Sequence, residues 1–478
     1  MSDASTRVSG RGAHFQAVLD RYQAERRLPS LAVGVLDASG LAWTGSAGAV
    51  TTPDVQYRIG SITKTLTAVL VLQCRDEGLL SLDDPLGRFV PEAAYADATL
   101  RALLAHVSGM QSEPAGPWWE RHPGGSFADL VAANDGSGAV FGPGEHYHYS
   151  NLGFGLLGEV VARVRGATWR SLVEERILAP LGMTRTSYDP VEPFAPGLSV
   201  HHLAGTLTSE PAHDTGAMAP AGQLWSTVED LARFGAFLTS GHDDVLPAST
   251  LREMRQPVPP AVEYGLGMRV LPWAGGVLSG HTGSMPGFQS TLLVDPLSHV
   301  GVVALTNATT GFSGSELTFA LLSEHTPAPT APWVPTAAVP AWAAELLGSW
   351  HWGNSAYEAR WHADRLEWRD LARGGVAEQF GTAPAETARV SGETARVSGE
   401  TARVSGETAR VSGETARVSG ETARVSGETA RVSGERIVGL AGYHHGETLH
   451  VVRREDGAVD HLECATFVYT RTPYPDGP

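Results

Sequence analysis

Tyr57-Arg58-Ile59-Gly60-Ser61-Ile62-Thr63-Lys64 runs on into Thr65-Leu66-Thr67-Ala68-Val69-Leu70-Val71-Leu72, so a serine stands at the start of an apolar run that reads as a buried helix. On a helix the i, i+3 spacing puts Ser61 and Lys64 on one face, one turn apart and within reach of a hydrogen bond. The helix N-terminus adds a positive potential that favours a developing alkoxide. For Lys64 to take the serine proton near pH 7 its pKa must fall by several units, which burial can bring about. Lysine and arginine together number 35, and Lys64 is the only lysine. A composition that uses arginine wherever a cation is enough makes the surviving lysine a candidate for chemistry that arginine, always protonated, cannot perform. A serine cap followed by an exposed lysine produces the same four letters, so this motif needs support from elsewhere in the chain.

Outward from this stretch, Phe15, Val18, Leu19 and Tyr22 keep helical spacing. Leu31–Leu36, Gly40–Gly48, Ser290–Asp295 and Val300–Leu305 read as strands. Strands near both ends of the first 320 residues, with helix-like segments between Gly/Pro-rich loops, imply one sheet assembled from the two termini of an α/β (α+β) domain. The domain expected here is 1–325. Five prolines at 327, 329, 332, 335 and 340 then forbid regular structure, so 326–340 reads as a linker.

Beyond it, 341–478 carries Trp350, Trp352, Tyr357, Trp361 and Trp368 in partly alternating segments, and Asp456-Gly457 is a hairpin signal. A small antiparallel β-domain is expected. It is interrupted at 386–434 by seven identical copies of ETARVSG. In each copy alanine and valine lie two apart, roughly 200° from each other on a helix, and glycine recurs in each unit, which argues against a heptad coiled coil. The tract reads as a flexible insertion without catalytic role, with stacked β-turns as the alternative.

The formal net charge of −17 with no basic patch excludes a sequence-independent grip on nucleic acid. No apolar run reaches the length of a membrane span, and Met1–Leu36 lacks the apolar core of a signal peptide, so a cytoplasmic location without membrane association is expected. Cys74 and Cys464 are far apart and read as small core residues. His146/His148, His201/His202 and His444/His445 lack an accompanying carboxylate cluster and read as structural or surface histidines, and no metal or cofactor is expected. Trp118 and Trp119 are candidates either for a cleft wall or for loop packing.

Further segments follow Ser61-Ile62-Thr63-Lys64 in order: Leu103-Leu104-Ala105-His106-Val107-Ser108-Gly109, Pro143-Gly144 with Tyr149-Ser150-Asn151, Pro180-Leu181-Gly182-Met183, Ala221–Thr227, and His281-Thr282-Gly283-Ser284. Across roughly residues 15–320 the chain thereby resembles the β-lactamase-related serine hydrolases, which include class C β-lactamases, DD-peptidases, D-aminopeptidases and related esterases. The resemblance implies an antiparallel sheet flanked by helices plus an all-helical region. It also implies Ser61 as acylated nucleophile, Lys64 as its base, and Tyr149 as a proton relay whose phenol pKa Lys64 would lower. Asn151 would bind the substrate's amide carbonyl, His281, Thr282 and Gly283 would line the substrate site, and the amides of Ser61 and Ser284 would form an oxyanion hole.

Class C β-lactamases carry lysine where this chain has His281. A histidine only partly charged at neutral pH holds a carboxylate less firmly, so a hydrolase acting on a small ester or D-peptide-like amide is the leading expectation. DD-carboxypeptidase or β-lactamase activity is one alternative. A ligand-binding or scaffold protein without turnover is the other.

Overall fold

The computed structural model describes residues 10–473, except 51, 53, 274, 275, 373, 384–435 and 466. The ETARVSG tract, with both readings of it, lies outside the described residues. The chain divides into two compact units, one of residues 1–200 and 207–335, the other of 201–206 and 336–478.

The first unit is built on a six-stranded antiparallel sheet in the order Gly40–Gly48, Ser30–Asp37, Gly301–Thr306, Phe288–Val294, Gly276–Met285, Arg269–Trp273. The first two strands and the last four come from opposite ends of the unit, meeting where Leu31 pairs with Thr306 and Leu36 with Gly301. Ser30–Asp37 and Gly301–Thr306 are apolar on both faces because helices cover both. One cover is the pair Gly12–Arg26 and Gly314–Leu322, whose Phe15, Leu19, Leu317 and Leu321 pack with Leu31, Val33 and Val302. The other is Val228–Ser240, the near side of a helical region built around Ile62–Asp76 and Asn151–Arg165.

The Pro-rich segment has no regular structure, as its five prolines require, yet it is anchored at one residue. Trp333 is buried, its N–H donates to Gln23 Oε1 and its carbonyl accepts from Gln23 Nε2. The boundary between the units falls at Pro335/Thr336.

The second unit is an eight-stranded antiparallel sheet in the order Ile437–Ala441, Val376–Thr382, Arg365–Asp370, Ser355–His362, Gly348–Trp352, Phe467–Thr470, Val459–Cys464, Leu449–Arg453. Bridges from Val438 to Thr448 and from Gly439 to His445 join its two ends, closing the sheet into a barrel and removing its open edges. Trp350, Trp361, Trp368, Phe380, Leu462 and Tyr469 fill the interior.

Candidate active site

Ser61 is the N-cap of helix Ile62–Asp76, yet its side chain makes no capping bond. The hydroxyl is thereby left for Lys64, whose Nζ lies 2.9 Å from Ser61 Oγ. Lys64 is fully buried, has no acidic ion-pair partner among the described residues, and donates to the carbonyl of Ala221 at 2.7 Å. Burial pulls its pKa down to about 7, with Glu113 and Glu120 opposing the fall. A cap followed by an exposed lysine is therefore not what the chain contains.

The backbone leading into the serine is held from both sides. Ile59 N–H donates to the Leu224 carbonyl, and the Ile59 carbonyl accepts from Ser290 Oγ at 2.8 Å. Strand Gly276–Met285 runs so close that a Cβ on Gly60, whose φ is +52°, would lie 2.6 Å from the Ser284 nitrogen. Only glycine fits there, and the approach sets the Ser61 and Ser284 backbones on one cleft wall. Both residues line a cavity of about 510 Å³ together with Tyr149, Tyr264, Arg269 and Thr282. A larger cavity, about 720 Å³, has Trp169 and Pro220 in its lining and includes none of Ser61, Lys64 or Tyr149.

Tyr149 hydrogen-bonds Ser61, and Lys64 Nζ sits 5.1 Å from the centroid of its ring. The expected lowering of its pKa is not found. Burial drives the phenol well above its ordinary value, and Lys64, with a pKa of about 7, has already lost its charge at the pH where a phenol ionises. Burial thus favours the neutral phenol of Tyr149.

His281 also departs from expectation. It is almost wholly buried, and burial together with Lys64 lowers its pKa to about 3, so it is neutral rather than partly charged. Its Nδ1 donates to the Thr282 carbonyl, which leaves Nε2 to accept from the Tyr264 hydroxyl at 2.9 Å. Both ring nitrogens are thus occupied by the protein. The cation beside this strand is Arg269, which lines the same cavity and approaches Thr282 Oγ1 at 3.4 Å.

Asn151, first residue of helix Asn151–Arg165, donates from Nδ2 to Glu113 Oε1 at 2.7 Å. The other Glu113 oxygen accepts from Trp119 Nε1 at 2.6 Å. Trp119 is therefore buried against the carboxylate that also binds Asn151 and is not among the residues lining the Ser61 cavity, whereas Trp118 is 54% exposed. Thr282 and Gly283 line the cavity, and a Cβ on Gly283 would collide with the Ile59 carbonyl. Among the described residues no group of three or more His, Cys, Asp or Glu could hold a metal ion, and no helix is long and apolar enough to cross a membrane. Arg269, Tyr264 and Glu113 carry no local sequence signal. Folding alone brings them to the site.

A family model described as Beta-lactamase matches residues 15–325. The chain belongs to the beta-lactamase family. This member is 30% identical over 328 residues to Penicillin-binding protein 4 of Amycolatopsis lactamdurans, covering 62% of this chain and 85% of that one. It is 31% identical over 219 residues to Beta-lactamase-like protein 2 of Dictyostelium discoideum, covering 43% of this chain but only 40% of that one. The structure of a D-stereospecific amidohydrolase from a Streptomyces species aligns with a TM-score of 0.56 at 29% identity, over 64% of this chain and 97% of that one. A model of a domain of unknown function matches residues 339–416 and 409–471, and these two stretches overlap inside the heptapeptide tract.

Proposed function

We propose that this beta-lactamase-family protein hydrolyses a carboxyl amide or ester, short D-peptides with a free C-terminal carboxylate above all, through an acyl-enzyme on Ser61. The observation that carries the reading is the buried lysine 2.9 Å from the serine hydroxyl with a pKa near 7. Ser61 Oγ attacks the carbonyl carbon while its proton passes to the Lys64 amine. The carbonyl oxygen becomes an oxyanion facing the amides of Ser61 and Ser284, where each donor contributes about 3 kcal/mol in the transition state. The C–N or C–O bond then breaks. The leaving group takes a proton through the Tyr149 hydroxyl, which gives up its own as it receives one from Lys64. Water reverses these transfers to release the acid.

Tyr149 acts here as a neutral relay and not as a phenolate base. Arg269 and Thr282 take the substrate carboxylate, the task His281 cannot do when both its nitrogens are engaged. The similarity to a D-stereospecific amidohydrolase and to a penicillin-binding protein supports this substrate class.

Labelled penicillin or a fluorophosphonate, followed by peptide mapping, is expected to modify Ser61 in the wild type and not in Ser61→Ala. Turnover on D-alanyl peptides above that on nitrocefin is expected on a panel with p-nitrophenyl esters. A folded wild type that stays unlabelled refutes the acyl-enzyme. Nitrocefin as the best substrate refutes the peptide preference.

A further inference from the structure

The Leu-Leu-Ala-His-Val-Ser-Gly segment has no part in the chemistry so far, yet its histidine is among the most constrained side chains near Ser61. His106 is 1% exposed and adopts φ +58°, a left-handed conformation that residues other than glycine enter at a cost. From this turn onward the chain is laced to the segment that carries Tyr149. The carbonyl of His106 accepts from His148 N–H, that of Val107 from Gly144 N–H, and that of Gly109 from Val140 N–H. Further along, the Gln111 carbonyl accepts from Ser150 Oγ, and the Ser112 carbonyl from Asn151 N–H.

Within this ladder His106 bonds both neighbours of Tyr149, one through its backbone and one through its side chain, and its ring packs on Tyr149 itself. Nδ1 accepts from Ser150 N–H at 3.0 Å, so the backbone on either side of Tyr149 is bonded to one residue, by its carbonyl at 148 and its imidazole at 150. The ring lies 4.2 Å from the Tyr149 ring at 37°, backed by Tyr264 at 4.7 Å and Phe154 at 5.2 Å. Nε2 has no protein partner, so the ring is fixed through Nδ1 and its faces alone. Neutrality is required for this, because a protonated Nδ1 would meet the Ser150 N–H donor to donor. Burial and the neighbouring Lys64 hold the imidazole neutral.

We infer that His106 is a positioning residue, whose left-handed turn, Nδ1 acceptor and ring face together set the Tyr149 hydroxyl against Ser61. This rests on the relay role given to Tyr149 above. It predicts that His106 acts only through Tyr149, which a double-mutant cycle measures.

His106→Gly suits the backbone conformation and removes both acceptor and ring. It is expected to lower kcat about 100-fold, as a misplacement of about 1 Å can, with KM changed less than about 3-fold. His106→Asn tolerates the same φ and offers Oδ1 near the place of Nδ1, so it is expected to recover to within about 10-fold of wild type. In a Tyr149→Phe background either substitution is expected to cost less than about 3-fold. An equal loss in that background, or an Asn variant no better than Gly, overturns the inference. If His106→Gly fails to fold in a thermal melt, the cycle with His106→Asn carries the same test. A Tyr149→Phe variant at wild-type rate sinks the relay role itself, and this inference with it. A crippled Tyr149→Phe with additive His106 effects sinks the inference alone.

Discussion

In the first unit Arg58, Lys64, His106 and His281 are each 3% exposed or less, and among the described residues none of them forms an ion pair. In the second unit the buried Glu367 is clasped by Arg360 at 2.9 Å and His362 at 3.1 Å. Burial pushes that carboxyl up, but the two hydrogen bonds outweigh it and leave the pKa lowered. The barrel's remaining core is mostly aromatic, with Trp350 stacked on Trp368 at 5.9 Å and Phe380 against it. The surroundings of Ser61 and of Glu367 show two uses of burial. In the barrel a buried charge is compensated and contributes to holding the fold. Around Ser61 the two histidines are held neutral and Lys64 is left without an ion-pair partner, so burial brings the lysine down to about 7.

The strongest way to break this contrast is Lys64→Arg, which keeps a cation but cannot surrender a proton. Ser61 acylation, followed as the rate of labelling, is expected to fall about 10⁴-fold. A variant within tenfold of wild type would show that Lys64 is not the base. Lys64→Met should be equally inactive, yet more stable. The pKa of Lys64 is lower in the folded chain than its ordinary 10.5, so between about 7 and 10.5 the unfolded chain binds more protons and this residue's contribution to stability rises with pH. At pH 7 the residue still destabilises the fold. Replacing it should raise stability by about 2 kcal/mol in denaturant titrations, less than the full pKa difference implies because the Ala221 carbonyl loses its donor.

A smaller effect comes from pH itself. The acylation rate should fall about tenfold per unit as pH drops below 7, since the amine is then protonated before it can accept the serine proton. His281 remains neutral down to about 3 and adds no step in this range. A profile flat from pH 5 to 8 would contradict the assignment of Lys64.

Smaller still, Arg269→Met should raise KM for carboxylate-bearing peptides about 10- to 50-fold while leaving neutral p-nitrophenyl esters within about 2-fold. Equal losses on both substrates would show that Arg269 supports the site rather than binding the carboxylate. The least effect on acylation is expected from the barrel. Trp368→Ala should destabilise that unit by about 3 to 5 kcal/mol in a melt and leave Ser61 labelling unchanged.

The sequence makes legible what is written in local period and spacing. The run after Ser61 proved to be a helix with the serine at its N-cap, and the strands read at 31–36, 40–48, 290–295 and 300–305 fall within, or a residue or so beyond, Ser30–Asp37, Gly40–Gly48, Phe288–Val294 and Gly301–Thr306. The strand Arg269–Trp273 went unread, for it is five residues long and contains Pro272. Its leading arginine reaches the cleft through pairing with Gly280, a partner that no local pattern specifies. The charge states of Tyr149 and His281 are hidden from the sequence for a related reason. Residue type and nearest partner were visible in the chain, but desolvation depends on everything packed around them. The Asp456-Gly457 hairpin was readable, whereas closure of the barrel rests on bridges between residues around Val438 and Thr448 on neither side of a tight turn.

The position of the heptapeptide tract has a bearing on how this gene can change. Strands Val376–Thr382 and Ile437–Ala441 are hydrogen-bonded neighbours, with Thr382 opposite Ile437 and Ala383 N–H donating to the Arg436 carbonyl. Everything between 384 and 435 thus enters and leaves the barrel at one hairpin end, so the strands register that they are joined but not by what length. Lengthening the connection between two such strands costs only about 0.6 kcal/mol for each doubling of its length. Gain or loss of whole copies of the seven-residue unit is therefore expected to be close to neutral for the fold. Removal of 386–434 leaves Pro384, Ala385 and Glu435 as a three-residue hairpin loop, a common length. That deletion is expected to shift the melting temperature by less than about 3 °C and to leave labelling of Ser61 intact. Copy number is then a length that the barrel strands on either side can accept without a change in their pairing.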